Sequence, residues 1–161
     1  MKYKKKIFTF IIIILLLTSA QSSAKIIGNK IIFGANISLT GKFSSEAQSF
    51  QDNYQKLIEQ INQMGIKISG KNYKLDIIYY DNESSENRAN KLSKRLIQNE
   101  GILFLIGPHN FKLSNEVKYL ISDNQLAIVS SYDALNVYIK AFKTVDSVDN
   151  KKIRKFIIDN K

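Results

Sequence analysis

The sequence predicts an α/β protein, a parallel sheet with helices on both faces. Three observations carry this expectation. Short apolar runs alternate with segments whose apolar residues recur at steps of three and four, giving the order strand, helix, strand, helix, strand, helix, strand. The runs are too apolar for a sheet with one wet face. The chain has 161 residues, 44% of them hydrophobic, so a single domain can bury a substantial core.

The elements follow in order. Ile31-Ile32-Phe33, between Gly28 and Gly34, reads as the first strand. A polar loop over Ser38 to Glu46 leads to a helix whose stripe is Ala47, Phe50, Tyr54, Leu57, Ile58, Ile61 and Met64. Gly65 should end it as a left-handed residue. Ile66 to Asn72 reads as a turn-like connection, and Leu75 to Tyr80 as a second strand buried on both faces. Ala89, Leu92 and Leu96 mark a second helix ending near Gly101. Ile102 to Ile106 is the third strand, Leu113, Val117, Leu120 and Ile121 mark a third helix, and Ala127 to Val129 is the fourth strand. Near the end, Ile153, Phe156 and Ile157 form one helical face, with no strand after it in these residues to cover.

The first 24 residues have the order of a secretory leader. A basic start, Met1 to Lys6, precedes an apolar run, Ile7 to Leu17, and then small residues. Cleavage is expected after Ala24, with Ala20 as the alternative. The run has 11 residues, short of the roughly 20 that span a membrane, so no stable insertion is expected once the leader is removed. The net charge is +10, but four of the lysines stand within the first six residues. The remaining basic residues are dispersed among acids, which reads as a solvated surface and excludes a nucleic-acid patch. There is no cysteine, so neither a disulfide nor a lipid on an N-terminal cysteine is available. A soluble periplasmic location fits.

"GILFLIGPHNF", residues 101–111, ends an apolar run on the only proline and the only histidine of the chain. Ligands of open parallel sheets sit beyond the carboxyl ends of the strands, which is where Gly107-Pro108-His109 falls. A helix start close behind would aim free N–H groups into the same space. The same residues also suffice merely to end a strand.

Several motifs taken together resemble a known family. "IIFGANISLTGKFSSEAQSF" is followed by a helix ending "LIEQINQMG" and then by "ISGKNYKLDIIYYD". Leu39-Thr40-Gly41, Glu59-Gln60-Ile61-Asn62 with Gly65, Gly70-Lys71, Asp81, Ile106-Gly107-Pro108 and Val129-Ser130 stand in the order found in the first lobe of periplasmic substrate-binding proteins of branched-chain amino acid ABC transporters, the Leu/Ile/Val-binding type of the type 1 periplasmic binding fold. "AFKTVDSVDNKKIRKFI" is similar to that family's Phe-Arg-Thr stretch and first second-lobe helix. After the leader over 1–24, the resemblance implies a first ligand-binding lobe over 25–140 and a crossover with the first helix of an incomplete second lobe over 141–161. It implies a hinged, two-lobed binder of an amino acid, an amide or a similar solute, working with an ABC transporter permease and needing no cofactor. By the same resemblance the solute meets the loops after the first, third and fourth strands, at Phe43, at His109, Asn110 and Phe111, and at Ser130, Ser131 and Tyr132. Phe111 and Ala134 stand where the family often has hydroxyls, and Glu46-Ala47 replaces a common Tyr-Gly pair. A remnant that binds little, half of a split binding protein, or a flavodoxin-like enzyme or signalling domain are the alternatives, the last disfavoured by the leader.

Other chemistry finds little support. Ser130 and Ser131 lack a nucleophile elbow or triad order, metal-ligating residues do not cluster, and the glycines form no phosphate fingerprint. No enzyme is expected. Asp81 is expected to cap a helix, Tyr79 and Tyr80 to pack, and a lone loop histidine such as His109 to be solvated unless it touches the solute.

Overall fold

A computed structural model of the chain describes residues 24–160. The expected leader lies outside the described residues, Ala24 excepted. The elements are β1 (Ile26–Ile27), β2 (Lys30–Ile37), α1 (Ser44–Met64), β3 (Ile66–Ile68), β4 (Lys71–Asp81), α2 (Glu86–Gln98), β5 (Phe104–Ile106), α3 (Asn115–Asp123), β6 (Ala127–Val129), α4 (Ala134–Val145) and α5 (Asn150–Asp159).

The sheet order is β3-β4-β2-β5-β6. β4, β2, β5 and β6 are mutually parallel, as expected. β4 pairs with β2 from Lys30↔Lys74 to Ile37↔Asp81 and fills one edge of it. The other edge is shared, with antiparallel β1 at Ile31 and β5 at Gly34 and Ala35.

Two short antiparallel strands, β1 and β3, depart from the sequence expectation. β3 lies where a turn was expected. Ile66 and Ile68 are buried and Lys67 between them is exposed, the period-2 pattern of a strand folded back on Lys71 to Tyr73. At three residues the pattern is too short to stand out.

Helices cover both faces, and the alternation along β2 assigns them. Ile31, Phe33 and Ala35 face α1, α4 and α5, together with Phe50, Tyr54, Leu135, Tyr138, Phe142 and Ile153. Ile32 faces α2 and α3, with Leu96, Ile97, Val117 and Ile121. Full burial of each such side chain contributes about 1.5–3 kcal/mol. β4 is less covered than its composition suggested. Leu75 is its one buried residue and the rest are half-buried or exposed, because its outer neighbour β3 spans only three residues.

Gly65 ends α1 with a positive φ of 77° but an extended ψ of 177°, not the left-handed helical ψ expected. α4 was not anticipated. It runs unbroken across residues 140 and 141 and places Phe142 fully inside the core. α5 packs on α4 and β6 through Ile153 and Ile157. The apolar face with no strand in sight thus covers the sheet's last strand, β6.

Candidate functional site

Because β2, β4, β5 and β6 run parallel, the four loops that follow them gather at one edge of the sheet. The loops after β2 and β4 are tied by hydrogen bonds. The Asp81 carboxylate accepts from the Thr40 hydroxyl at 2.7 Å, the Thr40 N–H at 3.2 Å and the Glu83 N–H at 2.8 Å. Burial alone would raise the pKa of Asp81, but these bonds outweigh it and hold the carboxyl below its ordinary value. Asp81 therefore does not cap α2. It ends β4, and Ser85, four residues on, accepts the capping bond from Arg88. Ser84 Oγ donates to Thr40 O at 2.8 Å and accepts from Phe43 N–H at 3.1 Å.

Beneath these loops lies a buried polar chain. Asn36 Nδ2 donates to Ala89 O at 2.5 Å and to Ser93 Oγ at 2.8 Å. Asn82 Nδ2 donates to Asn36 Oδ1 at 3.1 Å, and Ser38 Oγ donates to Asn82 Oδ1 at 2.6 Å. Desolvated amides stay inside only when bonded in this way.

The β5 loop turns at Gly107, with φ 78° and a following cis Gly107–Pro108 bond. A Cβ on Gly107 would lie 2.5 Å from Asn36 O, so only glycine lets the loop lie this close to β2. Past it, three consecutive residues meet three residues on one stripe of α1 and its N-cap. The rings of His109 and Phe50 are 4.3 Å apart. Asn110 Nδ2 donates to Glu46 Oε2 at 3.3 Å. Phe111 meets Phe43 edge-on at 5.7 Å. Positions 43, 46 and 50 share a helix face by their spacing of three and seven. Tyr132 joins from the β6 loop, 5.4 Å from Phe50. Tyr54, one turn beyond Phe50, donates from its hydroxyl to Ser131 O at 2.8 Å.

All seven residues expected from sequence thus lie at one edge of the sheet, and aromatic contacts join Phe43 to Phe111 and, through Phe50, His109 to Tyr132. Ser130 and Ser131 are exposed there, while Ala134 is fully buried at the start of α4. His109 is not a solvated loop residue. It is half-buried, and its Nε2 is buried without a hydrogen-bond partner. Burial holds its pKa below the ordinary histidine value, against the opposing pull of Glu46 and a main-chain bond at Ser130. Glu46 and Phe50 contact these loops as well. Phe50 also belongs to the core, as the stripe predicts, and the 43, 46, 50 spacing is the signal that links the three.

Tyr79 and Tyr80 pack as expected, one on each face. The Tyr79 hydroxyl is buried without a partner, its pKa pushed up to about 12 by burial and by Asp76. Tyr80 donates to Glu100 at 2.8 Å. Among the described residues, no group of three His, Cys, Asp or Glu side chains is placed to hold a metal, and no helix is long and apolar enough to cross a membrane.

The helix starts at this edge differ among themselves. α2, α3 and α5 are capped by Ser85, Ser114 and Asp149. α1 and α4, which begin at the site behind Phe43 and Asp133, have no side-chain cap bond.

Residues 30–136 match the family described as periplasmic binding protein. The fold is similar to that of the branched-chain amino acid transporter substrate-binding protein of Streptococcus pneumoniae in complex with isoleucine, with a TM-score of 0.54 and 19% identity over 63% of this chain and 28% of that one. It is similar to an ABC transporter substrate-binding protein of Aeropyrum pernix, with a TM-score of 0.52 and 14% identity over 63% and 27% of the two chains. It is also similar to an ABC transporter solute-binding protein of R. palustris in complex with 4-hydroxybenzoate, with a TM-score of 0.50 and 19% identity over 63% and 26%. The likeness therefore covers between 26% and 28% of the length of these three proteins.

Proposed function

This chain belongs to the periplasmic binding protein family, with the fold of one lobe of a type 1 binding protein, and on that premise we propose that it serves as an extracytoplasmic solute-binding component of an ABC transporter, for amino acids or related small polar solutes. One observation carries the reading. Of the four helices that start behind the carboxyl ends of the parallel strands, α2 and α3 are capped, and α1 and α4, joined by the contacts of Phe50 with Tyr132 and of Tyr54 with Ser131, are the two without side-chain caps. Ser44 N–H and Ala134 N–H already donate to Gly41 O and Ser131 O, and the next N–H groups of each first turn are left to a solute carboxylate, which the helix dipoles favour. The N-terminal leader supplies the export route, and a permease completes the transporter.

This lobe supplies one wall of a cleft. Pockets for small ligands bury roughly 70–90% of the ligand surface, so the opposite wall comes from a second lobe, on a longer chain or on another polypeptide. The 161 residues alone should hold an amino acid only at about the millimolar level, where each tenfold of lost affinity corresponds to about 1.4 kcal/mol. The test is a titration of the isotope-labelled chain with amino acids and amides, followed by amide chemical shifts. Shifts concentrated at Phe43, His109 to Phe111 and Ser130 to Tyr132 support the proposal. Saturating solute that leaves all three loops unmoved rejects it.

A further inference from the structure

Glu46 is the carboxylate that stands between the two aromatic groups of the site. Phe43 and Phe111 lie on one side of it along the α1 stripe, and Phe50, His109 and Tyr132 on the other. Its one hydrogen bond to a side chain comes from Asn110, a neutral amide, at 3.3 Å. The described residues form ion pairs at Glu83, Asp76, Glu100, Glu116 and Asp159, and none at Glu46. It is exposed at the edge where the four loops meet. An exposed carboxylate without a Lys or Arg ion pair, set on the same helix stripe as Phe43 and Phe50, is placed to take an ammonium group, because both the charge and the ring quadrupoles attract a cation. One ring here already does so, since the Lys42 ammonium lies 4.6 Å from the centre of the Phe43 ring.

Resting on the solute-binding reading above, we propose that Glu46 receives the ammonium group of the solute, with Phe43, Phe50, Phe111 and Tyr132 as the surrounding walls. The solute class is then amine-bearing, and a carboxylic acid without an amine is disfavoured. In an α-amino acid the carboxylate is left to the uncapped starts of α1 and α4, and the apolar part to the rings.

Three compounds of one shape separate the terms. Leucine has both groups, isoamylamine only the amine, and isovalerate only the carboxylate. The full chain and its Glu46→Gln variant are titrated with each, with the amide shifts of residues 43–50, 109–111 and 130–132 as readout. Glu46→Gln keeps the acceptor for Asn110 and changes an exposed side chain, so the fold is retained. Leucine and isoamylamine are expected to bind the variant about tenfold more weakly, the scale of a lost bond to a charged group, while isovalerate is unaffected or improved. An unchanged leucine-to-isovalerate ratio in the variant overturns the Glu46 assignment and leaves the solute-binding reading standing. Failure of all three compounds to move these loops in either protein overturns both.

Discussion

Replacing Gly107 with Ala should be among the most damaging single-methyl changes in the chain. Gly107 has φ 78°, and a Cβ there would lie 2.5 Å from the main-chain oxygen of Asn36, which is fixed in β2 and cannot rotate away. Two effects add. A side chain at positive φ costs about 1–2 kcal/mol, partly offset by about 0.4–1 kcal/mol from the stiffer unfolded chain. Forcing backbone apart in a packed region costs about 1–3 kcal/mol more. The expected loss is about 2–4 kcal/mol, which lowers a urea midpoint by about 1–2 M when the slope is near 2 kcal/mol per M. Gly70→Ala isolates the first effect, because Gly70 has the same φ of 78° and nothing within 4 Å of its would-be Cβ. It should cost about 1 kcal/mol or less. Urea unfolding of both variants, monitored by circular dichroism, gives the difference. If Gly107→Ala is no worse than Gly70→Ala, the close approach of the β5 loop to β2 is not what demands glycine, and the account of the turn fails.

The Tyr138 hydroxyl lies 2.8 Å from Leu105 O and 2.9 Å from Ala127 O, on adjacent strands, in a fully buried place. Tyr138→Phe should therefore cost about 1–2 kcal/mol in the same assay, and a neutral result would mean that these carbonyls need no side-chain donor. His109 binds its proton less readily in the folded chain than in the unfolded one. Its contribution is therefore present above the ordinary value of about 6.5 and is lost as pH falls through that value and then the lower folded one. The urea midpoint should drop between pH 7.5 and pH 5, and by less in His109→Gln; equal drops in the two proteins would count against a buried neutral imidazole. Export should remove the leader. Intact mass of exported protein should correspond to a chain beginning at Lys25, and a start at Gln21 would move the cut to Ala20.

The parallel sheet was legible because β2, β5 and β6 are apolar runs set between stripes of period 3.6, signals that survive without tertiary context. β1 and β3 were not, since strands of two and three residues carry almost no period and depend on partners elsewhere in the chain. α4 carried its signal in Ala134, Leu135, Tyr138, Ile139 and Phe142. Resemblance drew those residues towards a loop and a crossover instead. At the site, the loops could be placed from topology alone. The pairing of His109 with Phe50 and of Asn110 with Glu46 could not, because it depends on how α1 lies across the sheet. The role of Asp81 was misjudged for a related reason. A carboxylate just ahead of a helix suggests a cap, and only the fold brings Thr40 close enough to claim it.

The buried chain of Asn36, Ser38, Asn82 and Ser93, with the Thr40, Asp81 and Ser84 bonds above it, has a mechanical consequence. Directional bonds resist shear, so the loops after β2 and β4 move together as a stiff plate. The loops after β5 and β6 are joined to α1 largely by ring contacts, at Phe111, His109 and Tyr132, and rings slide past one another at little cost compared with breaking a buried hydrogen bond. Compliance is therefore one-sided. The loops after β5 and β6 are the ones that yield under load, while the opposing plate keeps a fixed reference position.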